Sequence, residues 1–100
     1  KFSSSDPILS ALALGNIGDA FVALNQPNDA LDYYKKAIDK SDNALTAPIY
    51  LNKAAQVAQD QKNYKEALTY LERIKSDYPK SEEAASVDVQ ISQVQALMNL

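Results

Sequence analysis

Ala30-Leu31-Asp32-Tyr33-Tyr34 is echoed 37 residues later by Ala67-Leu68-Thr69-Tyr70-Leu71, and this pair of segments decides the fold. An Ala-Leu-x-Tyr match at a fixed lag marks an internal repeat, and repeats of this size are supersecondary units that stack on one another. Working outward, the same lag carries Leu14 onto Leu51 and the small Gly18 onto the small Ala55. The two copies span residues 11–47 and 48–84.

Each copy reads as two helices. After Asp6-Pro7, where Asp caps and Pro suits a first turn, Ile8, Leu12, Leu14, Ile17, Phe21 and Leu24 recur at helical spacing, and this helix is expected to end near Asn25. Beyond Asn25-Gln26-Pro27, Ala30, Leu31, Tyr34, Ala37 and Ile38 share one face, while Asp29, Asp32, Lys35, Lys36 and Asp39 cover the other, to about Ser41. Thr46-Ala47-Pro48 opens a third helix with a narrow stripe of Leu51, Ala54, Ala55 and Ala58, running to about Gln61. Asn63-Tyr64-Lys65-Glu66 has the spacing of a capping box, and Ala67, Leu68, Leu71 and Ile74 follow as a fourth helix that stops before Tyr78-Pro79. A fifth is expected to start at Ser81, with Glu82 and Glu83 at its positive end, and to carry Val87, Ile91, Val94 and Leu97. The reading is all-α over residues 1–100 as one domain: two helical hairpins and a C-terminal capping helix or half-repeat over 81–99.

Composition agrees and excludes several functions. With 46% hydrophobic residues in 100, the chain can bury a core, and two glycines with few β-branched residues favour helices. The net charge of -3 argues against nucleic acid or anionic lipid as main partner, since both require a positive field. No cysteine is present, so disulfides and zinc-thiolate sites are excluded while the compartment stays open. No apolar run is long enough for a membrane span. A start at Lys1 rather than Met points to a processed product or a fragment of a longer array.

The residues resemble the tetratricopeptide repeat, whose pattern is W-x2-L-G-x2-Y, then A-x3-F, then P. The first copy supplies Leu14-x2-Ile17-Gly18-x2-Phe21 and Ala30-x3-Tyr34, and the second Leu51-x2-Ala54-Ala55-x2-Ala58, Ala67-x3-Leu71 and Pro79. Departures are the lag, Asp42 in place of the closing proline, and Ala58 in place of an aromatic; a longer lag implies a longer turn around Asn43-Ala44-Leu45. The resemblance implies a right-handed α-α superhelix and a non-catalytic module that binds a peptide or partner protein in a concave groove. The Asp77-Tyr78-Pro79-Lys80-Ser81 junction is similar to that of bacterial envelope repeat proteins, and the chain is similar to the repeat region of membrane-anchored periplasmic proteins that assist the Sec translocon. That likeness implies a periplasmic setting, with a cytoplasmic one as the alternative.

In the family the first helix of each pair lines the groove. Carried onto this chain, the groove positions are Leu12, Gly15, Asp19 and Val22 from the first copy and Ile49, Asn52, Lys53, Gln56, Gln59 and Asp60 from the second, with Tyr50 beside them as the best aromatic contact. The set is mostly neutral. Repeats that clamp a carboxylate present several Lys, Arg and Asn there, and only Lys53 and Asn52 qualify, the sole arginine, Arg73, falling on an outward helix. Gly15 inside a helix costs stability; admission of a ligand backbone is the alternative there to a structural role. Gly15-Asn16-Ile17-Gly18 lacks the Lys and Ser/Thr of a phosphate loop and reads as close helix packing. Without His or Cys, enzyme chemistry would fall to carboxylate pairs, and Asp29/Asp32, Asp39/Asp42 and Glu82/Glu83 read as solvated faces and helix ends. Neither a catalytic residue nor a cofactor or metal site is expected. The remaining alternative is a structural or self-assembly segment, with Ile8, Leu9 and Leu12 at an N-terminal end face open to a preceding repeat or to a homodimer.

Overall fold

The computed structural model describes residues 6–41 and 43–100. Five helices follow in order: α1 Pro7–Ala23, α2 Pro27–Ser41, α3 Ala47–Asp60, α4 Tyr64–Asp77 and, after a single 3-10 turn over Glu83–Ser86, α5 Val87–Met98. Neighbours in sequence are neighbours in space, α1 on α2, α2 on α3, α3 on α4 and α4 on α5. The result is a superhelical stack of helical hairpins measuring 49 × 32 × 15 Å.

The expected boundaries of α1 to α4 hold to within two residues, and the local chemistry shows why. Asp6 accepts hydrogen bonds from the amides of Ile8 and Leu9 at 3.0 and 3.2 Å, which satisfies two of the orphan donors that begin any helix. Both α1 and α3 close in the same way. Asn25 and Lys62 adopt positive φ, 58° and 63°. The next amides, of Gln26 and Asn63, then reach back to the carbonyls of Phe21 and Ala58, each at 2.8 Å. Companion bonds run from Asn25 to Val22 and from Lys62 to Gln59. These are Schellman turns at equivalent positions of the repeat, built without the usual glycine.

Two local expectations are corrected, and a third, the turn around Asn43-Ala44-Leu45, is met. The capping box on α4 does not form: the Asn63 amide proton is already committed to Ala58, and the Asn63 side chain donates to the Glu66 carboxylate at 3.1 Å instead. The last helix does not start at Ser81. Ser81 hydroxyl donates to the Tyr78 carbonyl and accepts from the Ala84 amide, which caps the 3-10 turn and leaves α5 to begin at Val87. The turn into α3 is organised by Asn43, whose side-chain oxygen accepts from the amides of Leu45 and Thr46 at 2.8 and 2.9 Å. Asp42 and Lys1–Ser5 lie outside the described residues.

The core contains the expected Ala30, Leu31, Tyr34, Ala37 and Ile38 of α2, the Ala67, Leu71 and Ile74 of α4, and Val87 and Val94 of α5. On α3 the buried stripe is wider than expected, because Tyr50 and Val57 join Leu51, Ala54, Ala55 and Ala58. On α1 the expected stripe is out of phase. Ile8, Leu12, Ile17 and Leu24 are exposed, and the buried side is Ser10, Ala11, Gly15 and Gly18, flanked by the partly buried Leu14 and Phe21. The reason is steric: the side chains that α2 and α3 send toward α1 are tyrosines, and only small residues leave room for them.

Both glycines meet a ring. A Cβ on Gly15 would collide with the outer atoms of the Tyr50 ring, and one on Gly18 would lie 2.6 Å from Tyr34 Cε1. The two rings are themselves stacked, centroids 6.1 Å apart, and both residues are buried, so neither swings away freely. Gly15→Ala should therefore destabilise the fold by about 1–3 kcal/mol from overpacking, although helix propensity alone favours alanine by roughly 1 kcal/mol. Urea titration of the two proteins checks the sign.

Candidate functional site

The sequence places candidate binding residues on the first helix of each pair, and in the fold these helices flank two shallow concavities. One, of about 300 Å³, is lined by Asp19 and Val22 from α1, Tyr34 from α2, and Lys53, Gln56, Val57 and Asp60 from α3. Its neighbour, of about 170 Å³, is lined by Val22, Asn25, Pro27, Val57, Asp60 and Gln61. Asp19, Val22, Lys53, Gln56 and Asp60 are thus brought together.

Six expected residues do not line these concavities. Gly15 and Tyr50 are buried against each other, so Gly15 holds the Tyr50 ring rather than a ligand backbone, and Tyr50, only 3% exposed, is an interhelical packing group. Ile49 packs on the core from the side. Asn52 accepts a hydrogen bond from the Gln90 side chain at 3.0 Å, tying α3 to α5. Leu12 is exposed and Gln59 half-buried, both away from the two concavities. Conversely Tyr34 and Val57 line the surface without having been singled out. For Tyr34 a signal existed: it stands where the repeat pattern has phenylalanine, and the extra hydroxyl of a buried tyrosine needs a partner.

That partner is Asp19. Tyr34 Oη donates to Asp19 Oδ1 at 2.5 Å, and Lys53 Nζ approaches the same carboxylate at 3.0 and 3.2 Å. One carboxylate therefore joins α1, α2 and α3, and charged Asp19, Lys53 and Asp60 of the mostly neutral expected set are the ones brought to this surface. The ion pair is about two-fifths exposed on each side, so solvent limits its worth to about 1 kcal/mol or less. The hydrogen bond from the buried phenol is worth more, about 1.5–3 kcal/mol, because its acceptor is charged. Beside it, Gln56 Nε2 donates to Asp60 Oδ1 at 3.1 Å.

Asp29, Asp32, Asp39 and Glu82 are exposed. Among the described residues no group of three His, Cys, Asp or Glu is placed to hold a metal ion. Arg73 lies on α4 and reaches Asp77 at 3.4 Å. No described helix is long and apolar enough to cross a membrane.

Burial is the main reason the Tyr34 phenol ionises far above its ordinary range, with the hydrogen bond to Asp19 and the Asp19 charge adding to it. Burial and then Asp19 push the Tyr50 phenol up as well. A phenol with a raised folded pKa lends its full stability below the unfolded value of about 10 and loses it above, where the unfolded chain ionises first. Thermal stability should hold up to about pH 10 and fall beyond it. Tyr34→Phe should lower stability by about 1.5–3 kcal/mol at neutral pH and flatten the alkaline fall, both readable from melts across that range.

Residues 11–39 and 53–81 each match a family profile described as Tetratricopeptide repeat. Neither a curated protein nor a solved structure shows a significant match to the chain.

Proposed function

Because the chain belongs to the tetratricopeptide repeat family, whose members are generally protein-interaction modules and typically non-catalytic scaffolds, we propose that it binds a partner protein or peptide along the α1/α3 side. The observation that carries this reading is the pair of adjoining concavities between α1 and α3, where apolar Val22 and Val57 alternate with polar Asp19, Lys53, Gln56 and Asp60. Apolar walls with a few oriented polar groups are the make-up of a surface that takes an extended segment. Asp19 and Lys53 are preorganised by Tyr34, so little side-chain freedom remains to be lost on binding.

A narrower proposal is that the array serves a membrane-anchored assembly of the bacterial envelope. It is supported by the likeness of the Asp77-Tyr78-Pro79-Lys80-Ser81 junction to that of bacterial envelope repeat proteins.

A second reading, self-assembly, is favoured by one feature. Leu9, Ala13, Ile17, Ala20 and Leu24 form a stripe along the outer side of α1, which carries only one charged residue, Asp19, over Pro7–Ala23; Leu9, Ile17 and Leu24 are all exposed.

The two readings separate by substitution. Val22→Lys with Gln56→Lys should cut recovery of bound proteins on the immobilised chain by about tenfold or more, while Ile17→Glu leaves it unchanged. Equal recovery from both variants would remove the groove. In sedimentation, concentration-dependent association lost in Ile17→Glu supports self-assembly, and a monomer at all concentrations removes it.

A further inference from the structure

We propose that the end of the α1/α3 surface is a subsite for one cationic side chain of the bound partner, a lysine or arginine, with Asp60 as its counter-charge; this rests on the reading of that surface as the partner-binding side. The two concavities share three lining residues, Val22, Val57 and Asp60. Two are aliphatic walls and the third is a carboxylate at their junction, with Pro27 adding a further apolar surface. That arrangement suits a side chain with a hydrocarbon stem and a charged tip, the stem lying along the valines and the tip on the carboxylate.

The charge at this place is uncompensated. Lys53, the one cation among the described residues lining the two concavities, is held by Asp19. Asp60 is exposed and receives one neutral hydrogen bond, from Gln56, and among the described residues it makes no ion pair. The Gln61 amide is turned to Asn28 at 3.1 Å and does not serve it. Lys62, the positive-φ residue of the turn that closes α3, lines neither concavity and forms no ion pair among the described residues.

The backbone adds to the same sign. Asp60 is the last residue of α3, and Val22 and Asn25 from the end of α1 line the same concavity, so the negative poles of two helices border it. The outer helices carry a basic residue in their last turns, Lys40 on α2 and Lys75 on α4, whereas α1 and α3 carry none. A cation is favoured at a helix C-terminus and a carboxylate is not. A partner's lysine or arginine would supply here the compensation that α2 and α4 supply for themselves. A divalent metal ion fits poorly, since only one carboxylate is free to ligate it.

The test is a ¹⁵N-amide NMR titration of the whole chain with acetyl-Ala-Leu-Lys-Leu-Ala-amide and with its norleucine counterpart, which keeps the stem and lacks the charge. The lysine peptide should shift the amides of Val22, Val57, Asp60 and Gln61 saturably and bind about fivefold more tightly than the norleucine peptide. Asp60→Asn, an exposed and nearly isosteric change, should erase that difference without altering the spectrum elsewhere. Equal binding of the two peptides, or a preference that survives Asp60→Asn, overturns the subsite; shifts at Lys53 and Gln56 would then show that the groove reading stands without it. If neither peptide moves any resonance of α1 or α3, both the subsite and the groove fall together.

Discussion

The close approach of two tyrosine rings to two glycines is the constraint on which the first half of the molecule depends. Gly18 accepts Tyr34 from the partner helix of its own hairpin, and Gly15 accepts Tyr50 from the next repeat. The rings stack on each other at 6.1 Å, so one continuous contact sets both the spacing within the first hairpin and the spacing between repeats. Glycine inside a helix normally costs about 1 kcal/mol against alanine. Here burial of two aromatic side chains, of the order of 2 kcal/mol each, outweighs it.

That packing also decides where charge can lie. A buried tyrosine must place its hydroxyl, and Tyr34 does so on Asp19, fixing the carboxylate where Lys53 of the next repeat can reach it. The surface between α1 and α3 acquires an ordered acid-base pair as a by-product of the core. One turn further on, α1 and α3 end in equivalent Schellman closures, and Val22, Asn25 and Asp60 near those ends line one concavity. Structural necessity in the core and polarity on the surface are therefore one arrangement seen from two sides.

The buried faces of α2 and α4 were readable because their polar and apolar residues separate cleanly around the helix. α1 was not. Its seventeen residues are apolar on nearly every side, so periodicity alone does not tell which stripe is covered, and the large residues Ile8, Leu12, Ile17 and Leu24 drew attention from the small ones that are covered. The contact of Gly15 with Tyr50 was illegible too: a glycine and a tyrosine in different repeats look unrelated until the fold puts one against the other. The capping box failed for a related reason: its spacing was present, but the amide it needed had already been taken by the preceding turn.

Five helices, two registered copies, the turn positions and the absence of cysteine and histidine chemistry follow from the amino-acid order itself, since helical period, proline and the 37-residue lag are local or one-dimensional properties. Which face of α1 is open, which residues line the concavities, and the joining of Tyr34, Asp19 and Lys53 were decided only by tertiary structure. Those features depend on contacts between residues 15 and 34 positions apart, brought together by ring size and helix spacing.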